Sequence, residues 1–237
     1  MSEEFNFHVN NDGNVSIKIA NPDGTYTNRV VKFEDFAKVF TVDNQEIDLP
    51  LFPKGLRKYR VFGDRTVVAI EYPSCIVAQT SWRGDDVYSN IPVPKSVWFT
   101  LLKNNPDGTY TILKSHLFAL DFMGLINEDS TFYKWPFPNH SLTYSPGICW
   151  GNDRNFERMK ASCGLTDLHS LFSMYFSAEF NNDLSYHIQN PQGEGQLSGD
   201  HILEMIAGQE SYKDEWLIRD EKNFGTEMNT LIGGGNR

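Results

Sequence analysis

The residues best suited to covalent chemistry lie in one proline-rich stretch, Trp135-Pro136-Phe137-Pro138-Asn139-His140-Ser141-Leu142-Thr143-Tyr144-Ser145-Pro146-Gly147-Ile148-Cys149-Trp150-Gly151-Asn152. Its prolines disfavour helix and ladder alike, so a rigid, extended loop is expected. Loops held rigid beside a sheet often carry reactive groups. Cys149 lies between Gly147 and Gly151, which leaves open backbone around a thiol that could serve as a nucleophile. Asn139 offers an amide N–H₂ that could donate to the oxyanion formed when a thiolate attacks a thioester carbonyl. His140 is the candidate for raising the thiolate fraction, because a free thiol ionises only near pH ~8.5. Blander roles stand beside these: a free cysteine is usually a small buried hydrophobe, an Asn after Pro a turn residue, and a turn histidine a solvated one.

The other thiols read as structural. Cys75 sits inside a β-forming run and Cys163 precedes a glycine. Three cysteines without a Cys-x-x-Cys pair argue for free thiols in a reducing cytosol and against disulfides or zinc. His140, His169, His187 and His201 are too scattered for a ligand pair on one helix, so no metal and no cofactor is expected. Lys and Arg number 21 against 31 Asp and Glu, a net charge of −10, and the one dense basic run spans residues 54–60. A nucleic-acid partner is not expected from that balance. No apolar run approaches the roughly 20 residues of a membrane span. Met1-Ser2-Glu3-Glu4 also lacks the basic-then-apolar order of a secretory signal, so a cytoplasmic location is expected.

The elements that must position the loop divide around it. Before it lie β-forming runs at 5–9, 15–19, 26–33, 59–62, 66–72, 75–81, 97–102 and 110–120, separated by Gly, Pro or Asn. The hexapeptide Asn-Pro-Asp-Gly-Thr-Tyr occurs at 21–26 and at 105–110, and is read as one good hairpin turn used twice. A short helix is expected over 34–40. After Gly151 the period changes: Leu168, Leu171, Phe172, Tyr175 and Phe176 fit one helix face with Thr166 as cap, and a last helix runs from Ser198 to a Gly208 stop. Sheet first and helices last is α+β: an antiparallel β-meander packed by C-terminal helices. Three regions follow: a β-rich N-terminal segment (1–48), the α+β domain (49–219) after the stiff Leu49-Pro50-Leu51-Phe52-Pro53, and a mobile tail (220–237).

The loop also carries a family resemblance. Pro138-Asn139, a turn, then Gly147-Ile148-Cys149 resembles the His-Pro-Asn to Gly-x-Ile-Cys signature of ubiquitin-conjugating enzymes. More narrowly it is similar to family D of prokaryotic ubiquitin-conjugating-like proteins, which includes protein B of the PRTRC systems. The matching pieces are a proline-led apolar strand at 91–99, Leu117-Phe118-Ala119-Leu120, the run from Asp129 to Asn139, and Cys149-Trp150-Gly151-Asn152. The similarity covers roughly residues 49–187. It implies a UBC-like fold in which Cys149 accepts a ubiquitin-like modifier as a thioester from an E1-like activating enzyme and passes it to an amine. Asn139 would then stabilise the oxyanion. Phe137 stands where the signature has histidine, so packing of Phe137 and Trp135 would have to hold the Pro-Asn turn.

Two further readings stay open. A small cysteine hydrolase would pair Cys149 with His187 or His201, since only 88 residues follow Cys149 and a papain-type spacing does not fit. A non-catalytic interaction protein, or a structural protein of a phage or mobile element, would use the same sheet without the chemistry. The 17 Phe, 10 Tyr and 5 Trp are compatible with that, although aromatic richness is commonly core filling.

Overall fold

Pro73 and Pro94 explain the main departure of the structure from a simple meander. Neither can donate to a ladder, and between them the chain leaves the sheet and returns. The computed structural model describes residues 5–10, 14–20, 25–33, 35–36, 51–84, 86–121, 126–140, 147–150, 153–181, 197 and 199–233. Within these, the strands are β1 (Phe5–Val9), β2 (Asn14–Ala20), β3 (Tyr26–Lys32), β4 (Leu56–Phe62), β5 (Arg65–Tyr72), β6 (Cys75–Trp82), β7 (Asp86–Val93), β8 (Ser96–Asn104), β9 (Tyr110–Ala119), β10 (Thr131–Lys134) and β11 (Arg219–Asn223). Among the described residues nine of them form one antiparallel sheet, ordered β11-β10-β9-β8-β5-β4-β1-β2-β3. Strands β6 and β7 form a separate two-stranded ribbon, so β5 pairs directly with β8 from Arg65↔Lys103 to Tyr72↔Ser96. The run 91–99, expected as one strand, is split by Pro94 into the end of β7 and the start of β8.

Both faces of the central sheet are covered, and the sequence of β5 shows why. Val67, Val68, Ala69 and Ile70 are all buried, the continuous apolar run of a strand packed on two sides. Val68 and Ile70 join Trp98, Leu117 and Trp135 under the helices α1 (Arg154–Ala161), α2 (Leu171–Ser177) and α3 (Gly199–Ile206). Val67 and Ala69 join Phe99, Phe118 and Phe132 under α4 (Phe224–Gly233). The fold is therefore α+β with a mostly antiparallel sheet, and its helices lie on both sides.

Several elements differ from expectation. The single helix read over 166–180 is a 3₁₀ turn (Leu165–Ser170) leading into α2, with Leu168 and Leu171 buried as their spacing required. Helix α1 was not expected. Its sequence buries only Phe156, which gives little apolar periodicity, but Asp153 caps it by accepting the Asn155 and Phe156 N–H groups at 2.7 and 3.1 Å. The expected mobile tail is instead β11 followed by α4, pinned by Phe224, Met228 and Leu231. At the other end, β1 pairs with β4 through Phe7↔Tyr59, so the N-terminal strands extend the same sheet. The helix expected at 34–40 lies largely outside the described residues. Phe36, which is described, is buried against Phe7 at 4.8 Å between ring centroids.

The repeated turn behaves as read. In its second copy Gly108 takes φ +81° and Asp107 Oδ1 accepts from both the N–H and the hydroxyl of Thr109. The copies bridge equivalent pairs, Ala20↔Tyr26 and Asn104↔Tyr110. Residues 21–24 of the first copy lie outside the described residues.

Candidate functional site

The proline-rich loop begins where β10 ends, after its pairing with Phe118 and Ala119 of β9, and aromatic packing fixes its first half. Trp135 donates from Nε1 to the Tyr175 hydroxyl at 2.8 Å, and Tyr175 in turn donates to the Pro138 carbonyl. Phe137 is fully buried, with ring centroids at 5.2 Å from Phe176 and 5.3 Å from Trp135, and Phe180 and Tyr212 close by. Phe137 is thus an apolar anchor, holding the Pro-Asn turn to α2 and the chain beyond it.

Asn139 follows with φ +59°, a left-handed conformation that asparagine tolerates better than most residues. Its side chain is 3% exposed, and Nδ2 donates to the Glu179 carbonyl at 2.7 Å. The Oδ1 atom is buried and has no hydrogen-bond partner among the described residues. His140 is also buried, and Nε2 accepts the Leu117 N–H of β9 at 3.1 Å. That acceptor role requires a bare Nε2, which leaves the ring proton of a neutral imidazole on Nδ1. His140 therefore caps the edge of β9, a task a distant general base does not need.

The second half of the loop returns to the first. His140 and Ile148 form an antiparallel bridge, and the Cys149 N–H donates to the Asn139 carbonyl at 2.8 Å. The ten positions separating Asn139 from Cys149 in sequence are closed at the base by this pairing. Residues 141–146 lie outside the described residues. Gly147 makes the return path feasible: its φ is +95°, and a Cβ there would sit 2.3 Å from the Ser115 carbonyl oxygen and 2.7 Å from His116 Cδ2. Only glycine fits so close to β9. Ile148 and Trp150 enter the helix-side core, with Trp150 stacked on Phe156 at 4.0 Å, while Cys149 between them stays half-buried.

The structure thus brings Asn139, His140 and Cys149 together through the backbone, and commits one amide hydrogen of Asn139 and Nε2 of His140 to backbone partners. Of the hydrolase candidates, His187 lies outside the described residues and His201 is exposed on α3. Of the three thiols, Cys163 is buried and burial pushes it up to about 11, while burial also raises half-buried Cys75.

A second polar cluster lies beside this loop. His116 Nδ1 meets Glu227 Oε1 at 2.5 Å, and Lys222 Nζ donates to Glu227 Oε2 at 2.8 Å. Glu227 is completely buried, which disfavours its charge. The His116 and Lys222 contacts overcome that and hold the carboxyl below the usual glutamate range. No sequence motif marks this cluster, since His116 and Glu227 are 111 residues apart. It joins α4 to β9 directly behind Gly147.

Comparison with models of known families, with curated proteins and with solved structures returns no match for this chain.

Proposed function

We propose that Cys149 is the acyl acceptor of a ubiquitin-conjugating-like protein. Its thiolate attacks the thioester carbonyl of a ubiquitin-like modifier carried by an E1-like activating enzyme, and the enzyme's thiolate leaves. A lysine amine then attacks the new thioester, loses a proton, and the Cys149 thiolate departs as the amide forms. The observation that carries this reading is the 2.8 Å bond from the Cys149 N–H to the Asn139 carbonyl, which keeps the two signature positions adjacent despite the long intervening loop. Asn139 Nδ2 carries two hydrogens; the Glu179 carbonyl takes one and orients the amide, and in this reading the other donates to the oxyanion.

Two observations favour the non-catalytic reading. The left-handed backbone at Asn139 and the Leu117 bond of His140 give both residues structural reasons to be what they are. Discharge kinetics separate the two. With Cys149 loaded from a synthetic peptide thioester ending in Gly-Gly, Asn139→Ala leaves loading nearly unchanged and slows aminolysis by free lysine by about 100-fold, the usual cost of one oxyanion donor. Equal discharge from wild type and Asn139→Ala, with both folded, supports the non-catalytic reading instead.

A further inference from the structure

Helix α4 packs on the sheet over β5, β8, β9 and β10, but the sheet continues past it through β4, β1, β2 and β3. The register shows which side chains this continuation turns toward α4. Phe7, Val15 and Ile17 join Phe36 on the opposite face, so their strand neighbours His8, Ser16 and Lys18 face the α4 side. Lys58 and Arg60 are paired with Ala69 and Val67, which lie under α4, and share that face. Between this face and α4 lies a cleft of about 620 Å³. That volume is in the range of small-molecule sites.

The charge of the cleft is opposite to that of the chain. Lys18, Arg29, Lys58 and Arg60 border it against one carboxylate among the described residues, Glu128, whereas the whole chain carries −10. Glu128 already accepts from Lys58 Nζ at 2.6 Å. Burial lowers the pKa of both Arg60 and His8; Lys58 and Arg57 add to the effect on His8, and Glu128 opposes it at both. Positive charge is thus only partly compensated in this cleft. Apolar surface meets it there. Tyr26 and Val30 of β3 border the cleft at 55% and 66% exposure, and Lys18 Nζ lies 4.4 Å from the centroid of the Tyr26 ring.

We propose that this cleft binds a small organic phosphate, with the phosphate among Lys18, Lys58 and Arg60 and the apolar body against Tyr26 and Val30. Clustered cations in a concavity focus their field on one anionic group, and Arg and Lys both suit phosphate oxygens. A long polyanion fits less well, because the chain outside the cleft is more acidic still than the total of −10 and would repel it. The site is separate from Cys149 and stands whether or not that thiol is catalytic.

The test titrates the full chain with 1-naphthyl phosphate at neutral pH, where a phosphate monoester carries nearly two charges. Inorganic phosphate, 1-naphthoate, 1-naphthol and hexaglutamate are titrated in parallel. The naphthyl phosphate is expected to bind one to one, more tightly than the other four, and to shift the ring signals of His8 in proton spectra but not those of His201. Arg60→Gln should weaken it roughly tenfold or more, the usual effect of losing a hydrogen bond to a charged group. Asn28 is exposed and paired with Lys18, so charge can be changed there without disturbing the core. Asn28→Asp should weaken binding about threefold and Asn28→Lys should strengthen it by a similar factor. Absence of binding, or binding unmoved by Arg60→Gln and by both Asn28 substitutions, overturns the proposal. Equal affinity for 1-naphthol shows an apolar site, equal or tighter 1-naphthoate a carboxylate site, and tighter hexaglutamate a site for acidic peptides; each of these overturns it too.

Discussion

Phe137 shows most directly how single side chains hold the candidate site. Its ring is fully buried among Trp135, Phe176, Phe180 and Tyr212, so Phe137→Ala opens a cavity under the Pro-Asn turn. The expected cost is about 3–5 kcal/mol in denaturant unfolding, with loss of Cys149 protection at lower denaturant than the global transition. Thiol chemistry gives a second expectation. Cys163 is buried and shifted to about 11, whereas Cys149 is half-buried in a loop. Graded alkylation at pH 8 with mass spectrometry should label Cys149 first and Cys163 last. Glu227 gives a third, at low pH. Its folded pKa lies below the ordinary glutamate value of ~4.3, so the stability it contributes is present above that value and is lost as pH falls through the folded one. Glu227→Gln should flatten this acid limb. At neutral pH it should cost about 3 kcal/mol, because His116 and Lys222 lose their partner in a buried setting.

Elements were legible where a local signal sufficed. The Asn-Pro-Asp-Gly-Thr-Tyr turn, the β-forming runs of β8 and β9, and the stripe Ile202, Leu203, Ile206 ending at Gly208 with φ +76° all appear as the residues dictate. What failed depended on distant partners. Residues 220–233 read as a tail because Phe224, Met228 and Leu231 are spaced by polar residues and a glycine. Their apolar face acquires meaning only against Val67, Phe99 and Phe132, more than 90 positions away. Truncation after Ile218 should therefore expose one whole face of the sheet and yield an aggregating or unfolded chain, measured by near-ultraviolet dichroism and light scattering. An unchanged melting transition would restore the flexible-tail reading. The ribbon β6–β7 was equally hidden, since Pro73 and Pro94 announce breaks but not where the chain goes between them. Gly147 links element to site: Gly147→Ala must displace the loop from Ser115, with an expected loss of about 1–3 kcal/mol and altered Cys149 alkylation.

At the scale of the whole molecule, the sheet serves as a rigid wall on which one loop is folded back upon itself. β9 receives the Leu117 bond of His140 on its edge, the Gly147 backbone against Ser115, and α4 through His116 and Glu227. The identity of the candidate residues was visible in sequence, as Pro138-Asn139 and Gly147-Ile148-Cys149. Their adjacency was not, because spacing alone cannot tell whether a ten-position loop closes at its base. The proposed role of Cys149 rests on that closure. Its most direct measurement is intact-mass detection of acyl transfer from a Gly-Gly peptide thioester to the folded chain. The account predicts one reducing-agent-sensitive adduct, on Cys149, formed faster in the folded chain than in the urea-unfolded chain and absent in Cys149→Ala. Adducts spread over Cys75 and Cys149, or loading of Cys149 no faster folded than unfolded, would contradict it.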